Sequence, residues 1–271
     1  MPRIARWLSL IVGVLVVFTP LYILLVTAFK TKKELSSSFP YELPNSFLNM
    51  DNFTLVLEKG HVGLAFLNII YIIALAVIGN MMIGTMAGYV LGRFNFRLKA
   101  LILSAYVISI IIPNVTTQVA TFGLIQSLGL FNTHYAMVVL NLGTDFIQIY
   151  IYIQFIRNIP YELDESAIVE GASLFRIYKS IIFPLLTPAI ATVAILKIIG
   201  IYNDIYSPFL YMPSSKLAVI STILMRFTTN VAVDWNSVSA AIMIILIPTV
   251  TIFLFMQKYI ISSIADGAVK G

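Results

Sequence analysis

Four polar side chains interrupt one apolar stretch of the sequence at regular intervals. They follow one another at steps of four, three and four residues and are Asn141, Asp145, Gln148 and Tyr152. On one continuous helix this spacing puts all four on the same face. Amides and carboxylates hydrogen-bond hydroxyl groups, and a tyrosine ring offers an aromatic face to a sugar. The stripe is typical of a pathway for a hydroxyl-rich solute, or equally of polar groups that bond membrane helices together.

Two opposite charges stand inside consecutive apolar stretches. Asp145 lies in one of them and Lys197 in the next. A lone charge at the centre of a membrane helix costs about 2.5–3.5 kcal/mol on insertion scales, so we expect Asp145 and Lys197 to pair. Structural pairing is the favoured role, and a proton relay is the alternative.

The residue types that most enzymes use are scarce. The chain has no Cys and only two His, His61 and His134, which is too few for a His-based metal site. The phosphate-binding pattern G-x-x-x-x-G-K-[ST] is missing from the sequence, so the chain lacks that means of holding ATP itself. No Ser, His and Asp are spaced as a catalytic triad. We expect a protein that is not an enzyme and that holds no metal or cofactor of its own.

Composition indicates that membrane helices carry the polar stripe. Of 271 residues, 59% are hydrophobic and 11% are charged, whereas soluble domains are about one-quarter charged. A helix needs about 20 apolar residues to cross the hydrocarbon core. Six stretches are predicted to do so, at residues 7–29, 64–92, 100–121, 135–156, 184–204 and 235–258. The first is too long for a signal peptide and lacks a small-residue cleavage site.

The predicted fold is all-α: a polytopic membrane protein with six transmembrane helices in a single domain over residues 1–271. Six spans put both termini on one side of the membrane. Lys and Arg are more frequent in the segments that lie inside when both termini are cytoplasmic, which favours that orientation. The cluster of Lys30, Lys32 and Lys33 opposes it.

Glycine recurs at every fourth residue in the second stretch. Gly84, Gly88 and Gly92 form this repeat, which is typical of helices whose backbones approach a neighbour closely. We expect this face to pack against another helix and to bind no ligand.

The chain turns polar between the fourth and fifth stretches, in the segment DESAIVEGASLFRIYKSIIFPLLTP. Asp164 and Glu165 put negative charge near the amino end of a helix, where the dipole favours it. Gly171 can take a positive φ and end that helix, and Ser173 is a natural N-cap for a second one. The pattern predicts a bent helix pair at the membrane surface, which is either a docking element or an ordinary amphipathic loop.

This segment resembles the E-A-A … G … I-x-L-P loop of permease subunits from binding-protein-dependent ABC importers. Glu165, Ser166 and Ala167 stand at the first three positions, Gly171 at the glycine, and Ile181, Phe183 and Pro184 at the end. Ser166 replaces an alanine and Phe183 a leucine. Two further segments, YNDIYSPFLYM and SLGLFNTHYA, are similar to segments of maltose-type carbohydrate permeases.

The resemblance implies that residues 160–183 form a cytoplasmic coupling loop that docks on a separate ATPase. The implied ATPase-coupling residues are Glu165, Ser166, Ala167, Gly171, Ala172, Leu174 and Phe175. Gly171 would make the bend, and an apolar face around Ala167 and Leu174 would pack in a groove of the ATPase. The tail after Lys258 would also touch the ATPase. Asn203, in the similar segment, joins the candidate pathway residues.

The resemblance also implies the assembly. The expected partners are an ATPase dimer that binds ATP and Mg, an extracytoplasmic sugar-binding protein and a second permease subunit, in the bacterial cytoplasmic membrane. The implied cargo is a carbohydrate, and an oligosaccharide in particular, carried by alternating access. A glycerol-phosphate importer of the same family is one alternative. An ion-coupled secondary transporter that uses Asp145 and Lys197 is another.

Overall fold

A computed structural model of the chain describes residues 3–228 and 234–268, and every regular element in those ranges is helical. The first half contains α1 (Arg3–Phe29), α2 (Lys32–Ser37), α3 (Asp51–Lys59), α4 (Val62–Arg93), α5 (Lys99–Ile111), α6 (Asn114–Ser127) and α7 (His134–Leu142). The second half contains α8 (Phe146–Arg157), α9 (Glu162–Val169), α10 (Leu174–Ile177), α11 (Phe183–Leu185), α12 (Thr187–Asn203), α13 (Tyr206–Tyr211), α14 (Ile223–Thr228) and α15 (Trp235–Ala268). A π-helical turn, Tyr178–Ile182, joins α10 to α11.

Two described helices are long and apolar enough to cross a membrane unbroken, Ala5–Phe29 and Val62–Arg93. Three bent pairs would raise the number to five if each pair counts as one span, and a shorter apolar helix covers Trp235–Thr251. The α5–α6 pair bends by 110° and the α7–α8 pair by 47°. The helices predicted over residues 100–121 and 135–156 are each broken in two, and the six predicted spans stay a prediction.

Local chemistry explains both breaks. Pro113 holds Ile112 in an extended conformation, with ψ 115°, at the end of α5, because the residue before a proline avoids the helical region. At the second break, Gly143 is extended with ψ 149°. The Asn80 amide donates to the carbonyls of Leu142 and Gly143 at 3.2 and 2.7 Å. These bonds satisfy carbonyls that lipid could not.

The chain divides into two compact units. The first comprises Met1–Leu67 and Ala218–Leu254, and the second comprises Asn68–Leu217 and Phe255–Gly271. The single domain expected over residues 1–271 stays a prediction.

In the first unit, buried amides close the carboxyl end of α1. The Asn52 amide donates to Ala28 and Lys30 carbonyls at 2.8 and 2.9 Å, and the Asn236 amide donates to Lys30 at 2.7 Å. These bonds replace the intrahelical partners that the last carbonyls of a helix lack. The Lys30 side chain is 0% exposed. Its ammonium donates to the Ser38 hydroxyl at 3.0 Å and the Phe39 carbonyl at 2.7 Å.

In the second unit, the glycine repeat of α4 lies against α8. A Cβ on Gly88 would stand 2.6 Å from the Tyr152 Cβ, and one on Gly92 would stand 2.9 Å from Ile156 Cγ2. Real Cβ atoms do not approach other carbons so closely, so only glycine fits at these positions. The predicted close packing of this face is confirmed.

Candidate functional site

The polar segment between α8 and α12 folds as a bent helix pair, as the sequence predicts. Gly171 has φ 81°, its N–H donates to the Ile168 carbonyl, and the Ala172 N–H donates to Ala167, both at 2.9 Å. This is the Schellman arrangement that ends helices at a left-handed glycine. The Ser173 hydroxyl then accepts from the Arg176 N–H at 3.3 Å and caps α10. We call residues 162–183 the elbow.

The outer surface of the elbow is open to solvent and partly apolar. Of the seven predicted coupling residues, five are exposed, namely Glu165, Ser166, Gly171, Leu174 and Phe175. Val169, which the sequence analysis did not single out, is 88% exposed, and Phe175 is 62% exposed. Val169 lies four residues after Glu165, so the two share a face of α9. That spacing is the signal that would have identified Val169.

Two predicted coupling residues point into the chain itself. Ala167 is 7% exposed within a core cluster that includes Tyr152 and Ile177, and Ala172 packs against the same cluster half-buried. The expectation that Ala167 contributes to an external apolar face is wrong, because its side chain packs in the core beneath α9. The exposed apolar surface consists instead of Ile168, Val169, Leu174 and Phe175.

A buried ion pair fixes the inner face of the elbow to the end of α4. The Arg93 guanidinium lies 2.9 Å from the Asp164 carboxylate, with the side chains 7% and 5% exposed. Arg93 also donates to the carbonyls of Ile159 at 2.9 Å and Pro160 at 3.4 Å, and it stacks over the Tyr161 ring at 5.5 Å. Burial raises the pKa of the Asp164 carboxyl, and Arg93 offsets that rise only in part.

A second buried contact joins α4 to the other arm of the elbow. The hydroxyls of Thr85 and Tyr178 hydrogen-bond at 2.8 Å, and the Tyr89 and Tyr178 rings lie 5.7 Å apart. Tyr178 opens the π-helical turn. Single π-helical turns are rare and frequently occur at functional sites. None of these four contact residues could be identified as a partner from the sequence; they are Arg93, Asp164, Thr85 and Tyr178.

The break between α7 and α8 separates the predicted pathway residues. Asp145 is not in a helix interior: it is the N-cap of α8, and its carboxylate accepts from the Gln148 N–H at 2.9 Å. Gln148 is 3% and Tyr152 0% exposed. Asn203 is exposed, and its amide donates to the Ile199 carbonyl at 3.0 Å. The predicted pathway residues therefore do not share one open face; they are Asn141, Asp145, Gln148, Tyr152 and Asn203.

Of the predicted pathway residues, Asn141 lies in the described lining of a polar cavity in the second unit. This cavity has a volume of about 510 Å³. Its polar lining consists of Thr117, Gln118, Thr121, Asn141, Asp204, Tyr206, Ser207 and Tyr211. Asp145 lines a separate opening with Ser109 and Phe146.

Among the described residues, the ion pairs of 4.0 Å or less are Arg93–Asp164 and Lys32–Asp234. Direct pairing of Asp145 with Lys197 is not present. Of the tail after Lys258, the structure describes the helical backbone to Ala268, and the predicted contact with an ATPase lies outside the described side chains.

Comparison with known proteins identifies the family. Residues 84–266 match the profile of the binding-protein-dependent transport system inner membrane component. The chain belongs to this family. The matched range contains the elbow, the last ten residues of α4, the whole of α8 and the polar cavity. The predicted resemblance is confirmed, and this permease is a membrane protein.

Several relatives of the permease are named as sugar import subunits. The melibiose/raffinose/stachyose import permease protein MelC of Bacillus subtilis is 31% identical over 94% of this chain and 92% of its own. AmyC of Thermoanaerobacterium thermosulfurigenes, a probable permease for starch degradation products, is 30% identical over 93% and 91%. The diacetylchitobiose uptake permease NgcG of Streptomyces coelicolor is 26% identical over 96% of this chain and 87% of its own.

The fold of the permease is also found in a solved structure. A chain of a bacterial ABC transporter involved in the import of the acidic polysaccharide alginate superposes with a TM-score of 0.82 at 16% identity. The match covers 94% of this chain and 95% of that one. At this identity the likeness establishes the fold.

Proposed function

We propose that this permease is a membrane subunit of an ATP-driven carbohydrate importer, and that its elbow docks on a separate ATPase subunit. The observation that carries this proposal is the exposed apolar and acidic surface of the elbow. The Schellman bend at Gly171 exposes that surface to solvent, and a buried apolar cluster packs beneath it. ATP and Mg would bind to the ATPase, and alternating access of the membrane helices would move the sugar. An extracytoplasmic binding protein and a second permease subunit complete the assembly that the family implies.

We further propose that the permease is a multi-pass protein of the bacterial cytoplasmic membrane, with six spans and both termini cytoplasmic. This orientation places the elbow on the ATP side. The Lys30 to Lys33 cluster, which opposes the orientation by charge, is engaged locally: Lys30 is buried, and the Lys32 ammonium pairs with Asp234 at 2.9 Å. The cluster then carries less weight as a topology determinant.

Replacing Val169 with lysine tests the docking surface. A cation at the carboxyl end of α9 suits the helix dipole, so we expect the elbow to keep its fold. Burying an unpaired ammonium in an apolar groove is costly, so the ATPase recovered with the tagged permease from detergent extracts should fall by about tenfold or more, since about 1.4 kcal/mol is tenfold in affinity.

A matched control is available because Leu48 and Val169 are both 88% exposed. Leu48→Lys makes the same chemical change outside the elbow and should leave ATPase recovery unchanged. Equal recovery with Val169→Lys and Leu48→Lys would contradict docking through the elbow.

A carbohydrate cargo is supported by the relatives' names and by the cavity. Its lining offers amides from Gln118 and Asn141, a carboxylate from Asp204, hydroxyl groups and the aromatic rings of Tyr206 and Tyr211. These are the groups that bind sugar hydroxyls and ring faces. Among the described residues that line the cavity there is no Lys or Arg, which favours a neutral sugar over a glycerol-phosphate.

Removing the two amides tests this cavity. In the Gln118→Ala/Asn141→Ala double variant we expect the KM for uptake of a transported sugar to rise about thirtyfold, because two hydrogen bonds of about 1 kcal/mol each are lost and about 1.4 kcal/mol is tenfold. Labelled raffinose, maltotriose and diacetylchitobiose serve as test solutes in whole cells. Gln126→Ala, also on α6 but outside the lining, is the control. An unchanged KM would remove this cavity from the pathway.

A further inference from the structure

Both arms of the elbow are bonded to the same helix. The arm before Gly171 is held through Asp164 by Arg93, at the last residue of α4. The arm after Gly171 is held through Tyr178 by Thr85, eight residues earlier in α4. At 1.5 Å per residue these two attachment points lie about 12 Å apart along the helix. A body held at two separated points cannot pivot freely about either.

We propose that the Arg93–Asp164 and Thr85–Tyr178 contacts join the elbow and the inner part of α4 into one rigid unit, so that displacement of the elbow by the ATPase moves α4. The inference rests on the proposed docking of the ATPase at the elbow. Arg93, Asp164, Thr85 and Tyr178 are positioning residues in this account, because they act through the elbow and touch neither ATP nor sugar.

The form of the Arg93 contact supports a mechanical role. The guanidinium holds Asp164 and also the carbonyls of Ile159 and Pro160, which lead into α9. It therefore fixes the position and direction of the entry to the elbow. Buried ion pairs are often no more stabilising than apolar side chains of the same volume. A contact that contributes little net stability and yet fixes orientation is suited to transmitting movement.

The covalent route from the elbow into α12 is less direct. It passes through the π-helical turn Tyr178–Ile182 and a bend of 73° between Leu174–Leu185 and Thr187–Asn203. The contacts with α4, in contrast, are a buried hydrogen bond of 2.8 Å and a buried ion pair of 2.9 Å to a helix of 32 residues. We infer that α4 moves with the elbow.

Spin labels can measure whether the two elements move together. The chain has no cysteine, so two introduced cysteines are the only labelling sites in it. Met82→Cys on α4 and Glu162→Cys on α9 are exposed positions that avoid the four contact residues and the apolar docking surface. The distance between the labels is measured in the complex with its ATPase, without nucleotide and with ATP trapped by vanadate.

The rigid unit predicts the same mean distance in both nucleotide states, within the about 1–2 Å of small helix shifts. In an Arg93→Met/Asp164→Leu/Tyr178→Phe variant, which removes both contacts without leaving a buried charge, we expect ATP trapping to shift or broaden the distance beyond that range. The Lys32→Met/Asp234→Leu variant removes the other ion pair, of equal length, and should behave like the parent.

The outcomes separate this inference from the proposed function. Absence of the ATPase from the purified complex overturns the docking proposal and, with it, the rigid unit. If the ATPase is bound and the parent distance changes on ATP trapping, the rigid unit alone is wrong. A constant distance in the variant that lacks both contacts would likewise show that these residues are not what joins the elbow to α4. The parent measurement alone decides whether the elbow and α4 move together, even if that variant fails to fold.

Discussion

A Gly171→Val variant is expected to reach the membrane and bring sugar uptake down by about tenfold or more, because under the proposed docking on the ATPase uptake depends on the shape of the elbow. Gly171 has φ 81°, and a non-glycine residue held there costs about 1–3 kcal/mol, with a β-branched residue at the unfavourable end. The space around the position is open, with no heavy atom within 4 Å of a built Cβ. The effect therefore comes from the backbone, which would leave the left-handed conformation and reorient α10 relative to α9.

Two controls isolate this cause. Asn tolerates the left-handed conformation, so Gly171→Asn should retain most uptake. Gly129 has φ 68° and is equally open, so Gly129→Val introduces comparable strain outside the elbow. Uptake of labelled sugar by cells, normalised to the amount of permease in the membrane, is the measurement. If Gly171→Val transports like the parent, the bend has no part in coupling.

Loss of Arg93, at the end of α4, is expected to destabilise the permease strongly. In Arg93→Met the Asp164 carboxylate stays buried without its cation, and breaking a buried pair in this way typically costs about 3–5 kcal/mol. We expect a clear fall in the midpoint of thermal unfolding in detergent and less permease in the membrane.

Removing Asp164 should cost less stability than removing Arg93. In Asp164→Leu, Arg93 keeps the carbonyls of Ile159 and Pro160 and the Tyr161 ring, so we expect a smaller loss than in Arg93→Met. The double variant Arg93→Met/Asp164→Leu leaves no buried charge and should recover much of the stability. If Asp164→Leu lowered the unfolding midpoint more than Arg93→Met does, the Asp164 carboxylate would not be the group that most needs its partner.

The elbow could be predicted from the sequence because its determinants are local. A left-handed glycine and a serine cap act on neighbours within a few residues, and both Gly171 and Ser173 do so in the structure. The apolar runs of α1 and α4 could be predicted for the same reason. Whether a stretch of the chain forms an apolar helix depends mainly on the residues within that stretch.

The broken helices could not be predicted in this way. Hydropathy runs on through Gly143 and Asp145, so a periodic pattern continues where the backbone stops being helical. The break is tolerated because Asn80, 62 residues before Leu142 in sequence, supplies hydrogen bonds to the freed carbonyls. Only the tertiary fold brings that amide to the break.

Asp164 could not be predicted as the partner of Arg93 either, because their pairing also depends on the tertiary fold. Asp164 stands among several acidic residues at the start of α9, and the helix dipole favours all of them equally. Which carboxylate faces α4 depends on how α9 rotates over its core, and Ala167 sets that rotation by packing inward. The same rotation exposes Val169, and neither result is visible in one-dimensional patterning.

The enclosure of Lys30 bears on chemical mapping of the permease. Lys30 is 0% exposed, whereas the Lys32 side chain, two residues later, is 76% exposed. An amine-acylating reagent that does not enter the bilayer would modify Lys32 and spare Lys30, although both follow α1. A footprint that takes every protected lysine as lipid-embedded would therefore extend the first span beyond Phe29, where α1 ends.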